Sequence, residues 1–310
     1  MSYAAHYARR FTLVELLVVL FILAAVAAMT STVVSQADDQ LRFEVTQERL
    51  RSIREAIVGR PGRRGIDGFV ADVGRLPHNL AELVQPGAIP SYRVADGTAP
   101  VTSSNGIRFG WRGPYVAALS ELGGGAAYWD GWGNPDRGLS NFGWNVPLHD
   151  PLGHFEVQSF GRDGRAGAQP ADDLYAQDYP PLGDSLIVQD DICVHLEGRS
   201  IGVTVRNTSA AGFPSTSIEL LVAYPAGSGG FLCHRSDPEL VTVPANASTL
   251  VTFTFVPSGG GTLVVPQGER SFELVLAGTA TPVGLSSPQL VELWPRGPMV
   301  STLPEPWDVQ

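Results

Sequence analysis

The stretch Arg9-Arg10-Phe11-Thr12-Leu13-Val14-Glu15-Leu16-Leu17 opens an almost unbroken apolar run that continues to Val34. A helix over residues 11–34 would extend roughly 36 Å, enough to cross the hydrocarbon core of a bilayer. A secretory signal core, of about 7–15 residues and ending at a small-residue cleavage site, is shorter than this run. The segment is therefore expected to stay in the membrane. Residues 1–10 hold two arginines, one histidine and no acid, so the positive-inside rule leaves this leader in the cytoplasm and sends the rest across. Glu15 is the single charge inside the run. An ionised carboxylate there is costly to bury and calls for a partner or a function. The plain alternative sets it in the headgroup region, neutralised by Arg10.

Outward from this run the pattern changes to an amphipathic helix. Leu41, Val45, Ile53 and Ile57 recur at helical spacing with Leu50 beside them, and Arg42, Glu44, Gln47, Glu48, Arg51 and Glu55 cover the other faces. Gly59, Pro61 and Gly62 stop it. One rod over residues 11–58, roughly 70 Å long at the standard rise, is the expectation. Its first half suits lipid or neighbouring copies, and its second half suits a globular head.

The whole chain has 310 residues, which favours more than one domain. Its net charge of -10 argues against holding nucleic acid, since phosphates must be neutralised by Lys and Arg. From 59 to 181 the sequence shows loops and short strands punctuated by Gly and Pro, with one short helical piece near Asn79 to Val84. From 182 to 310 apolar residues alternate with period two: Ile201, Val203, Val205; Ile218, Leu220, Val222, Tyr224; Val251, Phe253, Phe255; Phe272, Leu274, Leu276. About seven strands of this kind predict a sandwich of two antiparallel sheets. The fold class expected is α+β: a long N-terminal transmembrane and amphipathic helix, a small head of short antiparallel strands, then an all-β sandwich.

Phe11-Thr12-Leu13-Val14-Glu15 behind a basic leader resembles the N-terminal segment of type IV pilins and type II secretion pseudopilins. Those families carry Gly where this chain has Arg10. Three later islands, Gly110-Trp111-Arg112-Gly113-Pro114-Tyr115, Asp130-Gly131-Trp132-Gly133-Asn134-Pro135 and Phe155-Glu156-Val157-Gln158-Ser159-Phe160-Gly161-Arg162-Asp163-Gly164, resemble in this order islands of the major pseudopilin of type II secretion. Asp67-Gly68 through Gly74-Arg75-Leu76-Pro77 is similar to that family's turn after the helix. Gly131 stands where the family has Pro, and Asp150-Pro151-Leu152-Gly153 looks like a second copy of the same loop, so the register of the loop is open. The C-terminal stretch resembles bacterial immunoglobulin-like or fibronectin-like adhesion modules, on Val203-Thr204-Val205-Arg206-Asn207-Thr208 and on residues 243–255. The major pseudopilin has no such module.

The resemblance implies several roles. Residues 1–10 would be a leader cut by a prepilin peptidase between Arg10 and Phe11, with Arg10 the departure that bears on the cut, and residues 11–34 a transmembrane half. Glu15 would meet the new amine at Phe11 of a neighbouring subunit, fixing register more than adding stability. Residues 59–181 would be a periplasmic pseudopilin-like head, and 182–310 an immunoglobulin-like sandwich. The loop from Ser159 to Leu174 brings Asp163, Asp172 and Asp173 together among glycines, a composition that suits a calcium ion as well as a solvated acidic loop. The family's loop holds calcium, which carries Asp163, Asp172, Asp173 and the Phe160 carbonyl over as ligands. Asp172 and Asp173 are adjacent here, where the family separates its last two acids by one residue.

Cys193 and Cys233 can close a disulfide in an oxidising compartment, remain free buried thiols, or join His195 and His234 as a zinc set, although their spacing fits structural zinc poorly. No nucleophile elbow, phosphate loop or dinucleotide fingerprint occurs, so no enzyme is expected. Trp111, Tyr115, Trp129, Trp132 and Trp144 are read first as packing for a loop-rich head, and second as a sugar or partner surface. The function expected is a single-pass inner-membrane subunit that assembles with its own copies and other pilin-like subunits into a type II secretion or type IV pilus-like filament, at its tip or in low copy. The rival is a membrane-anchored periplasmic adhesin that does not assemble.

Overall fold

Helix α1 (Leu13–Val58) runs unbroken for 46 residues, about 69 Å at the standard rise. The computed structural model describes residues 13–60, 68–96, 104, 106–117, 119–120, 126–134, 141–147, 150–165, 167, 174–181, 183–227, 229–257, 262–295 and 300–310. It joins one long apolar N-terminal helix to a β-rich remainder. In the first half of α1 the large apolar side chains stand exposed, from 45% at Val19 to 76% at Leu13 and Phe21. This half is mostly apolar, its apolar window is unburied among the described residues, and by length and composition it can cross a membrane.

The second half is held by a stripe of Asp39, Phe43, Thr46, Leu50, Ile53 and Ile57, a run of alternating fours and threes that follows one helix face. Leu50, Ile53 and Ile57 are buried, each burial worth about 1.5–3 kcal/mol. Leu41, expected on this stripe, is 59% exposed. Phe43 takes that level instead, edge-on to Tyr175 and Tyr179 with centroids 5.9 and 4.8 Å away. The helix ends where Gly59 adopts a φ of 79° and its N–H bonds the Glu55 carbonyl at 2.8 Å, the left-handed stop that glycine accepts without strain.

A second helix, α2 (Gly68–Val73), is wholly buried against the end of α1 where loops and short strands are expected. A 3-10 turn at Leu80–Leu83 falls inside the helical piece expected near Asn79 to Val84. Leu50, Ile53, Ile57, Phe69, Val70, Val73, Leu76, Leu80 and Leu83 form one core with Phe155, Val157, Ile187, Ile192 and Cys193. Around it lie two antiparallel pairs of two-residue strands, β1 (Arg93–Val94) with β2 (Arg108–Phe109) and β3 (Leu119–Ser120) with β4 (Ala126–Ala127). A short helix α3 (Gln189–Ile192) leads into β5 (Cys193–His195), which pairs with β11 (Val264–Pro266).

The remaining strands form two sheets. One has the order β10 (Ser248–Thr254), β6 (Ser200–Asn207), β14 (Trp307–Val309), with β14 parallel to β6. The other has the order β13 (Gln289–Leu293), β12 (Gly268–Leu276), β7 (Phe213–Pro225), β8 (Phe231–Arg235), with β9 (Glu239–Val243) also on β7. The period-two residues Ile201, Val203, Val205, Ile218, Leu220, Val222, Phe253, Phe272 and Leu274 turn inward into a shared core. Trp307 is fully buried there, its Nε1–H donating to the Val283 carbonyl at 2.5 Å. Leu276, expected inside, lies at the strand end and is 36% exposed. Leu221, Ala223 and Val275, on the opposite face of the second sheet, pack against Ile107, Phe109 and Phe231.

Candidate functional site

Glu15 lies in the first turn of α1 and is exposed among exposed apolar neighbours. Arg10 and Phe11, the residues of the expected leader cut, lie outside the described residues.

The islands singled out in the head fold onto one another and onto α1. The Asp130 carboxylate, 2% exposed, accepts the N–H of Trp132 at 3.1 Å and of Asn134 at 3.2 Å through one oxygen. Its other oxygen takes the Asn134 amide at 2.7 Å and the Ser159 hydroxyl at 2.5 Å. Asn134 donates onward to the Gly161 carbonyl at 3.0 Å, and the Gly161 N–H returns to Ser159 Oγ at 3.1 Å. The pair of loops is pinned to the helix at three levels. Arg162 meets Asp39 at 2.6 Å, the Gly131 N–H donates to Thr46 Oγ1 at 2.9 Å, and Arg49 donates to the Trp129 and Asp130 carbonyls at 2.5 and 3.1 Å. A Cβ on Gly131 would stand 1.9 Å from the Arg42 carbonyl, so this position accepts only glycine at its present closeness to the helix. Asp150-Pro151-Leu152-Gly153 sits elsewhere, with the Pro151 carbonyl bonded by the Leu76 N–H at 2.8 Å.

The first island docks on α2. The buried Asp72 carboxylate accepts Arg112 Nε at 3.1 Å and the Tyr115 hydroxyl at 2.9 Å. Desolvation, with Asp72 adding to it, pushes the Tyr115 phenol far above its ordinary value. Trp111 donates to the Glu82 carbonyl at 2.6 Å and Trp144 to the Tyr128 carbonyl at 2.7 Å. These two indoles pack and cap the head, as the first reading of the aromatics has it.

Of the expected calcium ligands, Phe160 is buried and Asp163 exposed, while Asp172 and Asp173 lie outside the described residues. Asp163 accepts the Arg165 N–H at 2.9 Å. The structure adds Asp178, which is not among the expected ligands. Its Oδ2 accepts the Gly167 N–H at 3.1 Å, and its Oδ1 is buried with no hydrogen-bond partner among the described residues. Burial pushes its pKa up, the charge of Asp163 adds to the rise, and the Gly167 N–H opposes it. Among the described residues no group of three or more His, Cys, Asp and Glu is assembled for a metal. An unpartnered buried carboxylate oxygen beside a second acid is nonetheless the hard, anionic donor set that suits calcium. Asp178 lies four residues past the Ser159–Leu174 loop, directly before Tyr179-Pro180.

Cys193 and Cys233 are both free thiols in the structure. They belong to different cores: Cys193 packs with the helix-centred cluster and Cys233 against the outer face of β7 and β8. Desolvation pushes the Cys193 thiol up to about 12, which leaves it inert. The histidines are engaged separately as well. His195 meets Asp190 at 2.9 Å on the surface. His234 Nε2 lies 3.0 Å from the Tyr224 hydroxyl and 3.1 Å from the Val264 carbonyl, and burial lowers its pKa.

Comparison of the chain with known protein-family models, curated proteins and solved structures finds no match.

Proposed function

We propose that this chain is a pseudopilin-like, single-span subunit of a type II secretion or type IV pilus-like filament. The observation that carries the reading is the division of α1: an exposed, predominantly apolar half with one acid near its start, continuous with a half on which two family-like islands interlock around Asp130. In this reading residues 1–10 are the leader, 11–34 span the inner membrane with the N-terminus cytoplasmic, 59–181 form the periplasmic head and 182–310 an immunoglobulin-like sandwich. The docking of Asp130-Gly131-Trp132-Gly133-Asn134 against Ser159 and Gly161 favours this loop over residues 150–153 as the family's counterpart.

Assembly then follows from the physics of the rod. The apolar halves leave the lipid and pack on one another, exchanging lipid contacts for helix contacts. Glu15 pairs with the amine freed at Phe11 of the next copy, and a misplaced register leaves that charge buried and unpaired, which is strongly destabilising. The heads line the outside, and the bulk of the C-terminal sheets favours a tip or low-copy place. Calcium, when bound, supplies the charge that lets several carboxylates share one loop. Asp163 and Asp178, with Asp172, Asp173 and the Phe160 carbonyl, are the groups that would hold it.

The test is Glu15→Ala in cells, reading both membrane retention and incorporation into sheared filaments. Assembly requires that the variant be retained but not incorporated. A variant that functions like the wild type would replace this reading with that of an anchored adhesin.

A further inference from the structure

One carbonyl at the carboxyl end of each of α1 and α2 is taken up by one short segment of the β-rich region, Pro266 to Arg270. At the end of α1, Glu55 O receives the Gly59 N–H at 2.8 Å, and Val58 O, on the last helical residue, receives the side-chain amide of Gln267. At the end of α2, Val70 O receives the Gly74 N–H at 2.8 Å and Asp72 O the Gly110 N–H at 2.9 Å. Ala71 O, between them, receives Arg270 Nη1 at 3.3 Å. Such terminal carbonyls have no partner within their own helix and carry the negative end of its dipole, so an amide and a guanidinium suit them.

Both side chains are sealed from water, with Gln267 1% and Arg270 0% exposed. Arg270 also donates to the carbonyls of Pro266 at 2.7 Å, Glu269 at 2.8 Å and Gln267, so its fork is filled by main chain. The Gln267 N–H closes the third side on the Ile192 carbonyl at 2.8 Å. Glycines let the backbones meet. A Cβ on Gly268, whose φ is 118°, would stand 2.9 Å from Ala71 Cα, and one on Gly74, whose φ is 84°, would stand 2.0 Å from the Pro225 carbonyl.

We infer that the Pro266–Arg270 segment locks the β-rich region to α1 and α2 as a single rigid lever. The region is not a module on a flexible tether: whatever it touches is held at a fixed angle to the rod, and force applied to it passes into the last turn of α1. This rests on no assumption about assembly.

The experiment uses the full chain in detergent micelles with Glu48→Cys and Leu240→Cys labels in a Cys233→Ser background, and measures the label-to-label distance by pulsed electron paramagnetic resonance. A single narrow distance is expected, broadening in Gln267→Met and in Arg270→Lys. A broad distribution in the otherwise unaltered chain would overturn the inference. Hydrogen exchange keeps the proposal testable if the Arg270 variant does not fold. Gln267→Met should raise exchange in residues 55–59 by about fivefold to tenfold, the loss of one hydrogen bond, with β6 unchanged. Unaltered protection at the helix end, or an equal rise in β6, would count against a local lock.

Discussion

Replacing Asp130 by alanine is the sharpest perturbation of the head, because one buried carboxylate holds both interlocked loops. Four donors converge on it. In Asp130→Ala the Asn134 amide keeps the Gly161 carbonyl, and the Trp132 N–H, in a half-exposed residue, can reach water. The Asn134 N–H and the Ser159 hydroxyl are left buried without an acceptor. At about 1–3 kcal/mol for each orphaned donor, the loss is roughly 2–6 kcal/mol. With about 2–4 °C per kcal/mol for chains of moderate size, the melting temperature should fall by roughly 5–20 °C. Asp130→Asn keeps an oxygen for the two backbone donors but turns an amide toward the Asn134 and Ser159 side chains, so its loss should be about half as large. Thermal unfolding of the full chain in detergent, followed by tryptophan fluorescence, measures both. A melting temperature for Asp130→Ala within about 2 °C of the wild type would refute the claim that this residue joins the loops.

Ile57→Ala, at a fully buried position where α1 meets α2, should cost about 2–5 kcal/mol in chemical denaturation, against almost nothing for Leu41→Ala on the exposed side. Asp178 has a raised pKa, so without calcium its native form binds protons more readily than the unfolded chain and stability falls as pH rises through that value. Calcium should therefore raise the melting temperature at neutral pH and hardly at all in mild acid, and Asp178→Asn should remove the difference; equal melting with calcium and with chelator at neutral pH would eliminate the site. His234 has the opposite sign. Its pKa is lowered from 6.5, so its contribution is present above that value and is lost as pH falls through the folded pKa, and His234→Phe should flatten the acid limb of the stability curve. Alkylation of the unfolded chain without reductant should modify both cysteines, and in the native state only Cys233 at a measurable rate; a peptide linking Cys193 to Cys233 would contradict the two separate cores.

What was legible in the sequence was what depends on local pattern. The unbroken apolar run and the helical spacing beyond it describe α1 almost to its ends, and Gly59 stops it because a left-handed residue closes the last turn. Period-two alternation found the inward faces of β6, β7 and β12. Leu41 was misread because an amphipathic pattern shows that a face exists and not where the partner sits: Tyr175 and Tyr179 come to Phe43. Helix α2 has too few residues to display a period, and its burial comes from α1 and from residues some two hundred positions away. The two cysteines looked like a pair because they are the only two, whereas the fold assigns them to different faces. Asp178 was hidden for a similar reason, since an acid five residues beyond a suspected ligand gains meaning only when the chain turns back to Asp163. The interlock at Asp130 was visible as islands in order, and their mutual contact was not.

The N-terminal residue of the protein purified from membranes tests the central claim most directly. Mass spectrometry of its terminal peptide should find Phe11 as the first residue, with the leader through Arg10 removed. Recovery of the mature membrane form with Met1 intact would leave Glu15 without the amine it needs and would contradict assembly as a pilin-like subunit.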